Sequence, residues 1–254
     1  MSVQPQQPAQ PAPEHPAQPE SQSRPGMFIQ ALALGIDPAW RRYPADHRRG
    51  DVEAFCEAER QAPEDGATST LYSSVGLEPG IELVLWRTAP DIDSLERAAA
   101  RLFRSSLGGW LTVRHSFLGR TMPSQYIAKP TAQESGLTAG ERSRYLVVYP
   151  FTKSTDWYLL PRETRQTVMN EHMKVGHRYP SVRQALAYSF GLDDQDFVVA
   201  YETDDLASFG DLVRELRGTE SRRSTVNDTP ILVGILRGAD DLVALLAGSE
   251  RPPE

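Results

Sequence analysis

The chain has 254 residues, 39% hydrophobic and 24% charged, with a formal net charge of -7, enough for one large domain or two small ones with a sizeable core. The acidic balance argues against nucleic-acid binding, since phosphate contacts need a basic face. No apolar run approaches the roughly 18 residues of a membrane span, the N-terminus has no apolar core of signal-peptide length, and the single cysteine, Cys56, cannot form an internal disulfide, so a cytoplasmic protein is expected.

In chain order, residues 1–26 are mostly Gln, Pro, Ala, Glu and Ser. Such a segment cannot offset its ordering entropy, so it is expected to be a disordered tail with His15 exposed. The pattern turns globular at Phe28. Asp51–Ala62 reads as an amphipathic helix with Asp51 at its acidic start and Cys56 as a buried bystander. Strands are predicted over Ser69–Val75 and Ile81–Thr88, around the turn Gly76-Leu77-Glu78-Pro79-Gly80. Asp91–Phe103 follows as a helix. Leu111–Leu118 reads as a strand with Leu111, Val113, His115 and Phe117 on one face.

The second half repeats the order. A strand is predicted at Tyr145–Tyr149 and a helix at Arg162–Val175, starting after Pro161 and ending at Gly176. Strands follow at Val182–Phe190 and Phe197–Thr203, a helix at Leu206–Leu216, a strand at Ile231–Leu236 and a short helix at Asp240–Leu246. Tyr72–Leu95 and Tyr188–Phe209 share a plan: Tyr-Ser, then Gly-Leu and an acid, an apolar run and an acidic turn into a helix. The expected fold class is α+β: two fused ferredoxin-like repeats of the dimeric α/β-barrel type, over residues 27–140 and 141–254, with antiparallel sheets and helices packed outside. A gap within such a repeat can hold a flat ligand.

The most informative segment is Tyr149–Gln184. His172 shares a helical stripe with Val168, Met169 and Val175, so its imidazole needs a partner on an apolar face. On spacing alone it is either a hydrogen-bonded core histidine or a ligand or catalytic group. His177 follows Gly176 and reads as a loop residue. No Cys pair or His-x-x-x-His accompanies them, so the pattern is not a zinc site.

Four motifs occur in order: Tyr149-Pro150-Phe151-Thr152-Lys153, Trp157-Tyr158-Leu159-Leu160-Pro161, Glu171-His172 and Gly191-Leu192-Asp193-Asp194. In these the chain resembles the chlorite dismutase-like superfamily of heme proteins and, within it, the coproheme decarboxylases (hydrogen-peroxide-dependent heme synthases). The resemblance implies one porphyrin per subunit, usually in a homopentamer. It implies oxidative decarboxylation of two propionates of iron coproporphyrin III to the vinyls of heme b, with hydrogen peroxide as oxidant.

Residue roles follow from the same resemblance. His172 matches the proximal iron ligand, leaving the opposite face open to peroxide. Tyr149 matches the radical-forming tyrosine, and Lys153 a residue that binds a propionate and delivers a proton. Trp157 is either near the porphyrin edge or core packing. Gln184 matches the distal position where oxygen-forming chlorite dismutases carry arginine. A slip of one residue would put its neighbour Arg183 there instead, and because neighbours on a strand face opposite ways only one of the two lines the pocket. Arg217 matches a propionate-binding arginine, whose guanidinium suits a carboxylate. His115 is either a pocket contact or a satisfied histidine. The alternatives on the same fold are a chlorite-degrading enzyme and a non-catalytic heme-binding or heme-sensing protein.

Overall fold

The computed structural model describes residues 26–127, Gln133 and residues 141–248. The expected tail, with His15, lies outside the described residues apart from Gly26. The strands are β1 (Phe28–Ile36), β2 (Thr68–Glu78), β3 (Ile81–Ala89), β4 (Leu111–Arg120), β5 (Tyr145–Lys153), β6 (Arg183–Tyr188), β7 (Phe197–Thr203), β8 (Thr225–Asn227) and β9 (Leu232–Leu236). The α-helices are α1 (Ala45–Arg60), α2 (Ile92–Phe103), α3 (Thr155–Leu159), α4 (Arg162–Gly176), α5 (Leu206–Leu216) and α6 (Ala239–Ala247). Among the described residues no helix is long and apolar enough to cross a membrane.

Local signals set most of these boundaries. Asp91 caps α2 by accepting from the Ser94 N–H at 2.7 Å, and Asp205 caps α5 by accepting from Ala207 and Ser208 N–H, each satisfying donors left over in a first turn. α1 departs from expectation. It begins at Ala45, and Asp51, expected at its start, lies inside it, buried, accepting from Trp40 Nε1 at 2.8 Å. A tertiary hydrogen bond, rather than the helix dipole, accounts for that acid.

The expected pair of ferredoxin-like repeats of the dimeric α/β-barrel type, each with its own sheet, is corrected by the strand pairing. The strands form one nine-stranded sheet in the order β7-β6-β4-β1-β3-β2-β9-β5-β8, and β7 also pairs with β5. Every pair is antiparallel. The fold is α+β with one large sheet because strand edges from the two halves meet: β4 pairs with β6 at Arg120 and Tyr188, and β2 pairs with β9 at Tyr72 and Leu236. A repeated element order fixes local structure, but it does not say which edges join.

Core side chains alternate across this sheet. On β3, Val84 and Trp86 join one apolar cluster with Ile29, Val148 and Val198, while Leu83 and Leu85 join another with Trp40 and Phe55. That two-sided burial matches a period of two. On β4 the expected common face of Leu111, Val113, His115 and Phe117 is broken. The register against β1 shifts between Ala33 and Leu34, opposite His115 and Val113. Leu111 therefore packs with the Trp40 cluster and Phe117 with the Ile29 cluster. Such an irregularity re-aims side chains beyond it.

Candidate functional site

Three neighbouring strands supply the floor of the site. In register, Gln184 on β6 lies opposite Tyr201 on β7. Leu186, Val199 and Tyr149 form the next row across β6, β7 and β5, and Tyr188, Phe197 and Phe151 the row after it. Because side chains alternate along a strand, all of these emerge on one face. They line a cavity of about 510 Å³, within the size range of small-molecule sites. α3 contributes Trp157 and Tyr158. α4 contributes Arg165, Met169, His172 and Met173. The end of α5 and the stretch after it add Arg217, Ser221, Arg222 and Asp228.

Six of the seven residues singled out from the sequence come together here: Tyr149, Lys153, Trp157, His172, Gln184 and Arg217. His115 does not line this cavity. It stacks on Phe117, with ring centroids 5.5 Å apart, against the cluster on the other side of the sheet. His177 is exposed at the end of α4. Cys56 lies in a separate hollow between α1 and α6. Burial first, then the charge of Glu59, pushes its thiol up to about 11, so it is not a thiolate nucleophile.

Lys153 is buried. Its Nζ donates to the Ser221 carbonyl at 2.8 Å and to Ser221 Oγ at 2.9 Å, and it lies 4.5 Å from the centroid of the Trp157 ring. Burial, then the Arg222 charge, pushes its pKa down to about 8. Its backbone N–H donates to Asp196, which also accepts from the Tyr158 hydroxyl at 2.7 Å. Tyr149 stacks on Tyr201, with ring centroids 6.1 Å apart, and burial, then Tyr201, holds the Tyr149 phenol well above its ordinary value. Arg217 and Arg222 both reach Asp228, at 3.4 and 2.6 Å.

The residues present fit an iron porphyrin. Burial, then the Lys153 charge, pushes the His172 imidazole down to about 4, so the ring is neutral near pH 7, the state that ligates metal. Its Nδ1 is buried with no hydrogen-bond partner among the described residues. Buried polar atoms are rarely left so. Aromatic and thioether side chains suit a flat apolar ring, and cations suit carboxylates around it.

Sequence reasoning missed Tyr201, Tyr158, Arg165, Ser221, Arg222 and Asp228. Alternation along Phe197–Thr203 marks Tyr201 as sharing a face with Phe197 and Val199. Ser221, Arg222 and Asp228 carry no local signal, because only the chain path after α5 returns them to Lys153.

A family model described as chlorite dismutase matches residues 48–237. The coproheme decarboxylase of Mycolicibacterium smegmatis is 29% identical over 201 residues, which cover 78% of this chain and 86% of that one. The chlorite dismutase of Ideonella dechloratans is 26% identical over 236 residues, covering 89% and 81%. Among solved structures, a variant of the chlorite dismutase of Candidatus Nitrospira defluvii has a TM-score of 0.79 at 25% identity, covering 89% of this chain and 97% of that one.

Proposed function

From the premise that this chain belongs to the chlorite dismutase family, we propose that it is a coproheme decarboxylase. In this reading it converts two propionates of iron coproporphyrin III to the vinyls of heme b with hydrogen peroxide. The observation that carries this choice within the family is the orientation of β6. Gln184 faces the cavity, while Arg183 is turned to the other face and donates to Glu202 at 2.8 Å. A chlorite-degrading enzyme is expected to need an arginine at that distal position.

Each propionate, losing carbon dioxide, gives up one proton and two electrons as it becomes a vinyl. One peroxide accepts two electrons and two protons to become two waters, so each step also consumes one proton from the surroundings. The iron porphyrin, when bound, supplies the peroxide-driven oxidising chemistry. His172 is the chain's iron ligand in this reading, presented by α4 as a neutral imidazole. Tyr149 enters the reaction protonated, so its one-electron oxidation releases a proton, and Tyr201 stacks beside it. Lys153 is charged near pH 7 but only modestly above that point loses its proton. It therefore both pairs with a carboxylate and delivers a proton. Arg217 supplies a fixed charge for a second carboxylate, and Trp157 holds the Lys153 ammonium against its ring. The apolar floor excludes water from the reacting edge.

A second reading, a chlorite dismutase-like heme enzyme or a heme-binding protein without turnover, has the family match and the likeness to chlorite dismutases in its favour. The deciding experiment loads purified protein with iron coproporphyrin III, titrates it with hydrogen peroxide and follows the porphyrin by mass spectrometry. Stepwise loss of two carboxyl groups ending in heme b is expected. Binding with an unchanged porphyrin favours the second reading.

A further inference from the structure

The cations around the cavity are not in equivalent states. Lys153 is bonded to Ser221, and Arg217 and Arg222 share Asp228. Arg165 differs. It lies in the first turn of α4, and with Met169 and His172 it recurs at helical spacing, all three lining the cavity. Its Nε is buried and has no hydrogen-bond partner among the described residues. A cation in a helix's first turn also works against the helix dipole. Asp196, the acid bonded to Tyr158, is already engaged by the Tyr158 hydroxyl and the Lys153 N–H. Arg165, half-buried at the cavity wall, therefore carries one buried N–H whose acceptor is not supplied by the described residues.

We propose that Arg165 is a carboxylate-binding residue of this cavity, taking a ligand carboxylate distinct from those held by Arg217 and Lys153. The proposal rests on the porphyrin reading above and deepens it. A porphyrin carrying carboxylates around its whole rim would use a cation on the α4 side as well as those beyond α5. A half-buried guanidinium on the cavity wall grips such a group with charge-assisted hydrogen bonds.

The test is a titration of wild type, Arg165→Gln and Arg165→Lys with iron coproporphyrin III, read by the porphyrin absorption band, with melting temperatures measured alongside. Loss of one charge-assisted hydrogen bond predicts weaker binding by about 10- to 100-fold in Arg165→Gln. Arg165→Lys, which keeps the charge but not the fork, should recover part of that loss. The absorption spectrum of the saturated complex should match the wild type in both variants, since iron ligation is untouched. Wild-type-like affinity in Arg165→Gln would overturn the proposal. So would equal weakening in both variants with lowered melting temperatures, which marks a packing role. If the wild type binds no porphyrin, the reading beneath the proposal fails with it, an outcome plainly different from a wild type that binds and a variant that binds equally well.

Discussion

Arg183 and Gln184 are neighbours on β6 that serve opposite sides of the sheet: Gln184 opens on the cavity, and Arg183 is ion-paired with Glu202. Glu202 is fully buried and also meets Arg142 and the Tyr72 hydroxyl. Removing one partner of a buried carboxylate is costly, so Arg183→Ala is expected to lose on the order of 3 kcal/mol in urea unfolding. Its porphyrin absorption spectrum should stay as in the wild type. Gln184→Ala should do the reverse, altering the peroxide reaction with little change in unfolding. A cavity effect from Arg183→Ala would count against the assignment of faces.

Tyr149→Phe removes the phenol hydroxyl and keeps the ring between Val147 and Phe151 on β5. Coproheme binding should be retained, while decarboxylation falls by about 100-fold or more, a barrier rise of ~2.7 kcal/mol. Single-turnover mass spectrometry reads the difference. Full turnover would remove Tyr149 from the oxidation step.

Lys153 has a folded-state pKa pushed down from 10.5 to about 8. It loses charge above that point, so wild-type affinity for an anionic porphyrin should fall as pH rises through about 8, and the fall should vanish in Lys153→Arg. Stability moves the other way. Between about 8 and 10.5 the unfolded chain binds the proton and the folded chain does not, so stability rises with pH across this window. Lys153→Met should flatten that rise in denaturant titrations.

His172 is the mirror case in acid. Its folded pKa is pushed down from 6.5 to about 4. Between these values only the unfolded chain takes up the proton, so the folded state loses stability as pH falls from 6.5 towards 4. His172→Phe should lessen that acid loss. His172→Ala should lose iron ligation, and added imidazole should restore the spectrum. A spectrum unchanged in His172→Ala would move the ligand elsewhere.

Local features were legible in the residues themselves. Pro161 and Gly176 bracketed α4, and its 3.6-residue period put His172 with Met169. The two-residue period of strands separated Gln184 from Arg183, while the structure extended β5 from the expected end at Tyr149 to Lys153 and so set Tyr149, Phe151 and Lys153 on one face. Motif order carried the family resemblance across the same segments. The tertiary structure decided which edges pair, and with that the merging of both halves into one sheet. It decided that β7 lies between β5 and β6, which brings Tyr201 to Tyr149, and that the chain after α5 returns Ser221 to Lys153. It also placed the face shared by His115 and Phe117 on the side of the sheet away from the cavity. Periodicity reports which way a side chain points from its own backbone. Pairing between distant strands depends on matching edges and buried faces across the chain, and no local window contains both partners.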